Sequence, residues 1–165
     1  MKRTFPILIL ALIVVLVLSG CTQSKPVITI DGILRTITEE EYENIYTDDI
    51  ENPQIENFKY YELRVKGNNL KNIELRDVIV PEFKYISKEL NEYNSDIWAL
   101  GNTLIQDNTN EDFFVYEYKV LLNMTEITAD ELKDVLDEFE VKVHIETKDG
   151  YEIKEEYNLG EELKL

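Results

Sequence analysis

Phe113-Phe114-Val115-Tyr116-Glu117-Tyr118-Lys119-Val120-Leu121-Leu122 decides the fold class. Phe114, Tyr116, Tyr118, Val120 and Leu122 recur at every second position, the period at which a strand places side chains on one face. The stretch is rich in aromatic and β-branched residues and holds neither Gly nor Pro, so a strand is expected here. Downstream, Thr128-x-x-Glu131 fits a capping box. Leu132, Val135, Leu136 and Phe139 follow at the spacing of a one-sided helix. Val141, Val143 and Ile145 then alternate with Lys142, His144 and Glu146. Asp149-Gly150 marks a hairpin, with Tyr151, Ile153 and Tyr157 on the returning strand.

Working upstream, Tyr61, Leu63 and Val65 alternate with Glu62, Arg64 and Lys66, and Gly67-Asn68-Asn69 supplies turn chemistry. Ile73 to Val80 reads as a strand broken at Asp77 by a bulge, and Pro81 ends it. Glu82 to Asn94 fits two readings: Phe83, Ile86, Leu90 and Tyr93 suit a helix, while Phe83 and Tyr85 suit an extended edge. Ile97 to Ile105 is apolar around Gly101-Asn102, and Asp107-Asn108-Thr109-Asn110 is a loop. Nearer the N-terminus, Val27 to Ile30 and Ile33 to Ile37 suggest a strand pair turning at Asp31-Gly32. Thr38-x-x-Glu41 opens a short helix with Tyr42, Ile45 and Tyr46 on its apolar edge, inside the acidic stretch Glu39 to Glu56.

Turn signals about every ten residues and at least six strand candidates predict a mainly β chain folded as an antiparallel sandwich, with one or two short helices. The closing order of strand, short helix, strand, Asp-Gly turn and strand resembles the end of immunoglobulin-like or fibronectin-type domains. Leu63-Arg64-Val65-Lys66-Gly67-Asn68-Asn69-Leu70 is similar to the strand-Gly-x-Asn-Leu opening of some bacterial immunoglobulin-like modules. The likeness spans roughly residues 58 to 159 and implies an immunoglobulin-like β-sandwich. A chain with a single Cys has no intradomain disulfide of the antibody type.

The N-terminus has a different character. Lys2 and Arg3 precede the apolar run Ile7 to Leu18, and the first acid is Asp31. A basic segment followed by a short apolar one reads as a secretory signal helix, since a membrane span needs about 20 apolar residues. Leu18-Ser19-Gly20-Cys21 resembles the lipobox of bacterial lipoprotein signal peptides. Ser19 and Gly20 are small enough for a peptidase groove, and only the thiol of Cys21 can become the thioether that carries diacylglycerol. The resemblance implies cleavage between Gly20 and Cys21, lipidation of Cys21, and retention at the extracytoplasmic face of the cell membrane, as in lipoproteins of Gram-positive bacteria. Two or more acyl chains give stable anchoring where one is marginal. The expected organisation is a signal peptide (1–20), a lipidated tether (21–26) and a single acidic domain (27–165). The tether Thr22 to Pro26 reaches about 17 Å when extended.

Charge and composition narrow the function. The 165 residues carry 17 Lys and Arg against 34 Asp and Glu, a formal charge of −17; without residues 1–20, 15 bases face the same 34 acids and the charge is −19. A nucleic-acid binder would show a basic stripe instead. No Gly-x-Ser-x-Gly, His-Glu-x-x-His, Cys-x-x-Cys or phosphate-loop pattern occurs, so no catalytic residues and no cofactor are expected. His144 reads as a solvated residue on the polar side of its strand. Two oxygen-rich stretches, Asp48-Asp49-x-Glu51 and Asp107-Asn108-x-Asn110-Glu111-Asp112, carry the chemistry of calcium ligands without the spacing of an EF-hand. Phe58 and Tyr60, on the outward side of their strand, form a potential protein-docking patch, while Trp98 is expected in the core.

These observations favour a membrane-anchored, non-enzymatic binding or interaction module of the cell envelope, with another envelope protein as partner. An acidic calcium-binding module is the first alternative. A hydrolase using paired carboxylates is the second.

Overall fold

The computed structural model describes residues 25–45, 50, 52–93 and 100–165. Gly20, Cys21, Tyr46, Asp48, Asp49, Glu51, Asn94 and Trp98, with the expected signal helix and most of the tether, lie outside the described residues. The described chain is mainly β, with two sheets and three helices: β1 (Val27–Thr36), α1 (Glu39–Glu43), a 3-10 turn (Ile55–Asn57), β2 (Phe58–Asn68), β3 (Ile73–Ile79), α2 (Phe83–Tyr93), β4 (Leu100–Gln106), β5 (Phe114–Asn123), α3 (Ala129–Leu136), β6 (Glu140–Thr147), β7 (Glu152–Asn158) and β8 (Leu163–Lys164).

Strand order is β4-β5-β2-β1-β8 in one sheet and β3-β6-β7 in the other. All pairings are antiparallel except β1 with β8, which is parallel through Gly32↔Leu163 and Ile33↔Lys164. One apolar core joins the facing sides of both sheets. Leu34 of β1, Tyr61, Leu63 and Val65 of β2, and Phe114, Val120 and Leu122 of β5 meet Val141, Val143 and Ile145 of β6. The two longer helices complete this layer, through Ile86 and Leu90 of α2 and Leu132, Val135 and Leu136 of α3.

The local signals explain much of this. Both capping boxes form, with the Thr38 and Thr128 hydroxyls accepting from the N–H groups of Glu41 and Glu131 at 3.2 Å each. Gly150 takes φ 85°, the left-handed backbone the hairpin between β6 and β7 requires. The alternating residues of β5 face the core as their period demands. Residues 83–93 adopt the helical alternative, which places Ile86 and Leu90 on one helix face, both buried in the common core.

Three expectations are corrected. Asp31-Gly32 is no turn: β1 runs straight through it and pairs with β2 along its whole length. Gly32 instead permits a close backbone approach, its N–H donating to Glu162 O at 3.3 Å where an added Cβ would also lie 3.3 Å from that oxygen. The irregularity in β3 falls between Ile73 and Leu75 rather than at Asp77. Finally, Gly67 and Asn68 belong to β2, and the chain changes sheets through Asn69 and Asn72, both left-handed at φ 59° and 57°. Gly67 lacks a side chain because the Phe114 ring covers it; an added Cβ would stand 2.2 Å from Phe114 Cε1.

Candidate functional site

The outer face of the five-stranded sheet carries an ordered set of charges that follows from register. Across β1, β2 and β5, Asp31, Arg64 and Glu117 stand in one row, and Ile33, Glu62 and Lys119 in the next. Each charge therefore has a neighbour of opposite sign on the adjoining strand, an arrangement worth roughly 0.2–1 kcal/mol per pair. Arg64 Nε lies 2.7 Å from Glu117 Oε1, and Lys119 Nζ lies 3.8 Å from Glu62 Oε1. Lys164 of β8, in register with Ile33, pairs its ammonium with Asp31 of the first row. A shallow hollow of about 350 Å³ opens among Asp31, Ile33, Glu62, Arg64, Glu117 and Lys119. Ile33, 41% exposed, lines it together with Leu63 and Tyr118.

At one end of this face the chain folds over the sheet. Arg35 grips Glu41 with two nitrogens, Nη2 to Oε1 at 2.7 Å and Nη1 to Oε2 at 2.9 Å, while its Nε donates to Glu62 at 2.9 Å. Glu41 Oε2 also accepts from the Thr38 N–H at 3.0 Å, and Lys119 Nζ reaches Glu41 Oε1 at 3.2 Å. Glu41 thus serves at once as cap of α1 and as clamp between α1 and the sheet. The Arg35 hydrogen bonds, followed by the Thr38 N–H, hold its carboxyl well below the usual carboxylate range; the same pairing raises the Arg35 guanidinium above its already high ordinary value. Below the clamp, the Arg35 guanidinium carbon and Lys119 Nζ lie 4.9 and 4.0 Å from the Tyr60 ring centroid.

Consequently the expected Phe58/Tyr60 docking patch is not open. Phe58 is 1% exposed, in a second apolar cluster with Ile37 and Leu121. Tyr42 (ring centroid 5.6 Å from that of Phe58), Ile45, Ile50 and Ile55 roof this cluster. The outward parity of Phe58 was legible. Its cover, supplied by the acidic segment after β1, was not.

The loop between β4 and β5 holds its acids with the chain's own donors. Arg76 points inward from β3, its side chain only 4% exposed, with Nη2 2.8 Å from Asp107 Oδ1. Arg76 Nη1 reaches the carbonyls of Glu111 and Phe113 at 3.4 and 3.3 Å, and the Tyr116 hydroxyl donates to Asp107 Oδ2 at 2.6 Å. Burial first, then that bond, pushes the Tyr116 hydroxyl above its ordinary range. Asn108 Oδ1 accepts from the Asn110 N–H at 3.0 Å, Glu111 accepts from Gln106 at 3.1 Å, and Asp112 stands 3.7 Å from Lys71. In this loop Asp107, Asn108, Glu111 and Asp112 each have a donor or cation of the chain itself beside an oxygen.

A second hollow, of about 310 Å³, lies between α2 and α3 and is lined by Glu89, Glu92, Asp134, Val135 and Glu138. His144 occupies the outer face of the three-stranded sheet, as its strand parity implied. Glu146 and Glu152 are its neighbours there, with Oε1 atoms 3.1 and 3.0 Å from His144 Nε2. Among the described residues this is the one group of three or more His, Cys, Asp or Glu side chains whose donor atoms all lie within 4.8 Å of one another.

Sequence reasoning passed over Arg35, Glu62, Lys119 and Arg76. Glu62 and Lys119 lie in the repeated acid–base alternation of Glu62-x-Arg64 and Glu117-x-Lys119, whereas Arg35 stands outside it and carried no such signal. For Arg76 the signal was a base interrupting an otherwise apolar inward row. No protein family, curated protein or solved structure matches this chain.

Proposed function

We propose that this chain is a lipid-anchored, extracytoplasmic binding module of the bacterial cell envelope, held at the membrane through Cys21 and acting without catalysis. The observation that carries the reading is Leu18-Ser19-Gly20-Cys21 at the end of the apolar run Ile7 to Leu18, with Cys21 the only cysteine of the chain. In this reading the peptidase cuts between Gly20 and Cys21, and residues 21–26 tether the domain that begins with β1. Among the described residues no helix is long and apolar enough to cross a membrane.

The binding surface in this reading is the outer face of the five-stranded sheet, and its partner is an envelope protein. The rows of alternating charge and the hollow around Ile33 support a polar, pattern-specific contact, because mispaired rows would set like charges together. Near-neutral balance on this face supports it too. Asp31, Glu41, Glu62 and Glu117 are matched there by Arg35, Arg64, Lys119 and Lys164, in a chain whose total is −17. The two sheets are read as a variant of the immunoglobulin-like sandwich. Support comes from the sheet change at Asn69–Asn72 and from α3 carrying the chain between β5 and β6, which belong to opposite sheets.

The test is metabolic labelling with a fatty acid in a bacterial host. The chain should incorporate label and fractionate with membranes, and Cys21→Ala should leave an unlabelled precursor. Continued labelling of Cys21→Ala refutes the anchor.

A further inference from the structure

We infer that His144, Glu146 and Glu152 form a site for one transition-metal ion of the zinc class on the outer face of the three-stranded sheet. The site stands on the sheet opposite the surface proposed above, and it rests on neither the lipid anchor nor that surface.

Backbone geometry brings the three groups together. His144 and Glu146 are two residues apart on β6 and so share a face. Glu152 is the direct cross-strand partner of Glu146 on β7. His144 Nε2 is the point of convergence, 3.1 Å from Glu146 Oε1 and 3.0 Å from Glu152 Oε1. Zinc bonds of about 2.0–2.1 Å at tetrahedral angles place neighbouring ligand atoms about 3.3–3.4 Å apart. The two observed edges therefore need to open by only a few tenths of an ångström. The third, between the carboxylates, is no more than 4.8 Å and closes to that ligand spacing by rotation of the exposed glutamate side chains. Side-chain exposures of 29%, 43% and 55% leave room for water as the fourth ligand.

Charge points the same way. Glu146 and Glu152 are like charges directly opposed across a strand pair, which is destabilising unless something neutralises them. Among the described residues neither makes an ion pair with Lys or Arg. Lys154 of β7 and Asp77 of β3 flank His144 in register, and Lys142 precedes it on β6, where it pairs with Glu140 and Glu156 instead. A neutral imidazole offers one N–H to two carboxylates, whereas a divalent cation at that point bonds all three groups. One imidazole with two carboxylates suits zinc, cobalt, nickel or copper. Calcium, which takes six to eight oxygens, is excluded by the imidazole and by the ligand number.

The experiment is titration of the full chain in detergent, stripped with chelator, with Zn²⁺ against a chromogenic competitor. Expected is one Zn²⁺ per chain, with affinity at least tenfold weaker in His144→Ala and in Glu152→Gln. A hundredfold excess of Ca²⁺ should not displace it. Glu156→Gln, which removes the same charge from the same face, should bind as the parent does, and so should Cys21→Ala, whatever the fate of the anchor. Far-UV circular dichroism of the metal-free variants checks that these exposed substitutions leave the fold intact. Absence of saturable binding overturns the site. So does equal weakening by Glu156→Gln, undiminished binding by His144→Ala, or displacement by Ca²⁺.

Discussion

Replacing Arg76 should destabilise the protein more than any other surface-to-core charge change, and the structure sets the size of the effect. The side chain is 4% exposed and its partner Asp107 is 23% exposed. Breaking a fully buried ion pair costs about 3–5 kcal/mol, chiefly through the charge left behind. Asp107 is less completely enclosed and keeps the Tyr116 hydroxyl at 2.6 Å as a donor, so part of that penalty is relieved. The two carbonyl contacts of Arg76, at 3.4 and 3.3 Å, are longer than good hydrogen bonds and add little. Arg76→Ala should therefore lose about 2–3 kcal/mol. Arg76→Met, which keeps the apolar stem, should lose less. In a cycle with Asp107→Asn, the coupling should reach about 1.5 kcal/mol, within the range for residues in contact. Urea denaturation followed by circular dichroism measures all four corners. A loss under about 0.5 kcal/mol for Arg76→Ala, or additive single and double variants, would refute the ion pair as the lock on the loop between β4 and β5.

Two further outcomes follow from the clamp and the small cluster. Phe58→Ala should cost about 3–5 kcal/mol, as truncation of a buried aromatic does, and hydrogen exchange should show protection falling first over residues 37–45; unchanged protection there would mean the cluster does not hold the acidic segment. Because the folded carboxyl of Glu41 is held low, its contribution is complete above the ordinary glutamate range and is lost as pH falls below it. An NMR titration should find Glu41 still ionised where exposed glutamates are half protonated, and Glu41→Gln should flatten the acid limb of the stability curve. Titration in the ordinary range would remove the clamp.

The parts that were legible in the sequence are those whose determinants are local. β5 declares itself through period two, α3 through a capping box and four spaced apolar residues, and the hairpin between β6 and β7 through Asp149-Gly150. Asp31-Gly32 misled because the same dipeptide serves a turn or a close backbone approach, and Glu162, 130 residues on, decides which. Phe58 misled for a related reason: parity tells which side a residue faces, but not whether another segment covers that side. The acid–base alternation of β2 and β5 was legible, but which charges face one another was not, since one residue of slip would pair Arg64 with a different neighbour and invert the face. The triad at His144 needed both the hairpin register and the side-chain rotamers. Only the first could be read from sequence.

The position of β1 has a mechanical consequence. This first strand is bonded to β2 on one side through ten residue pairs and to β8 on the other. A pull on the chain ahead of Val27, directed along the strand, loads that ladder in shear, so its bonds must yield together instead of peeling one at a time. β8 runs parallel to β1 and lies at the C-terminal end of the chain, so tension between the two termini also shears their shared contact. A load applied ahead of Val27 is therefore met by the whole ladder at once.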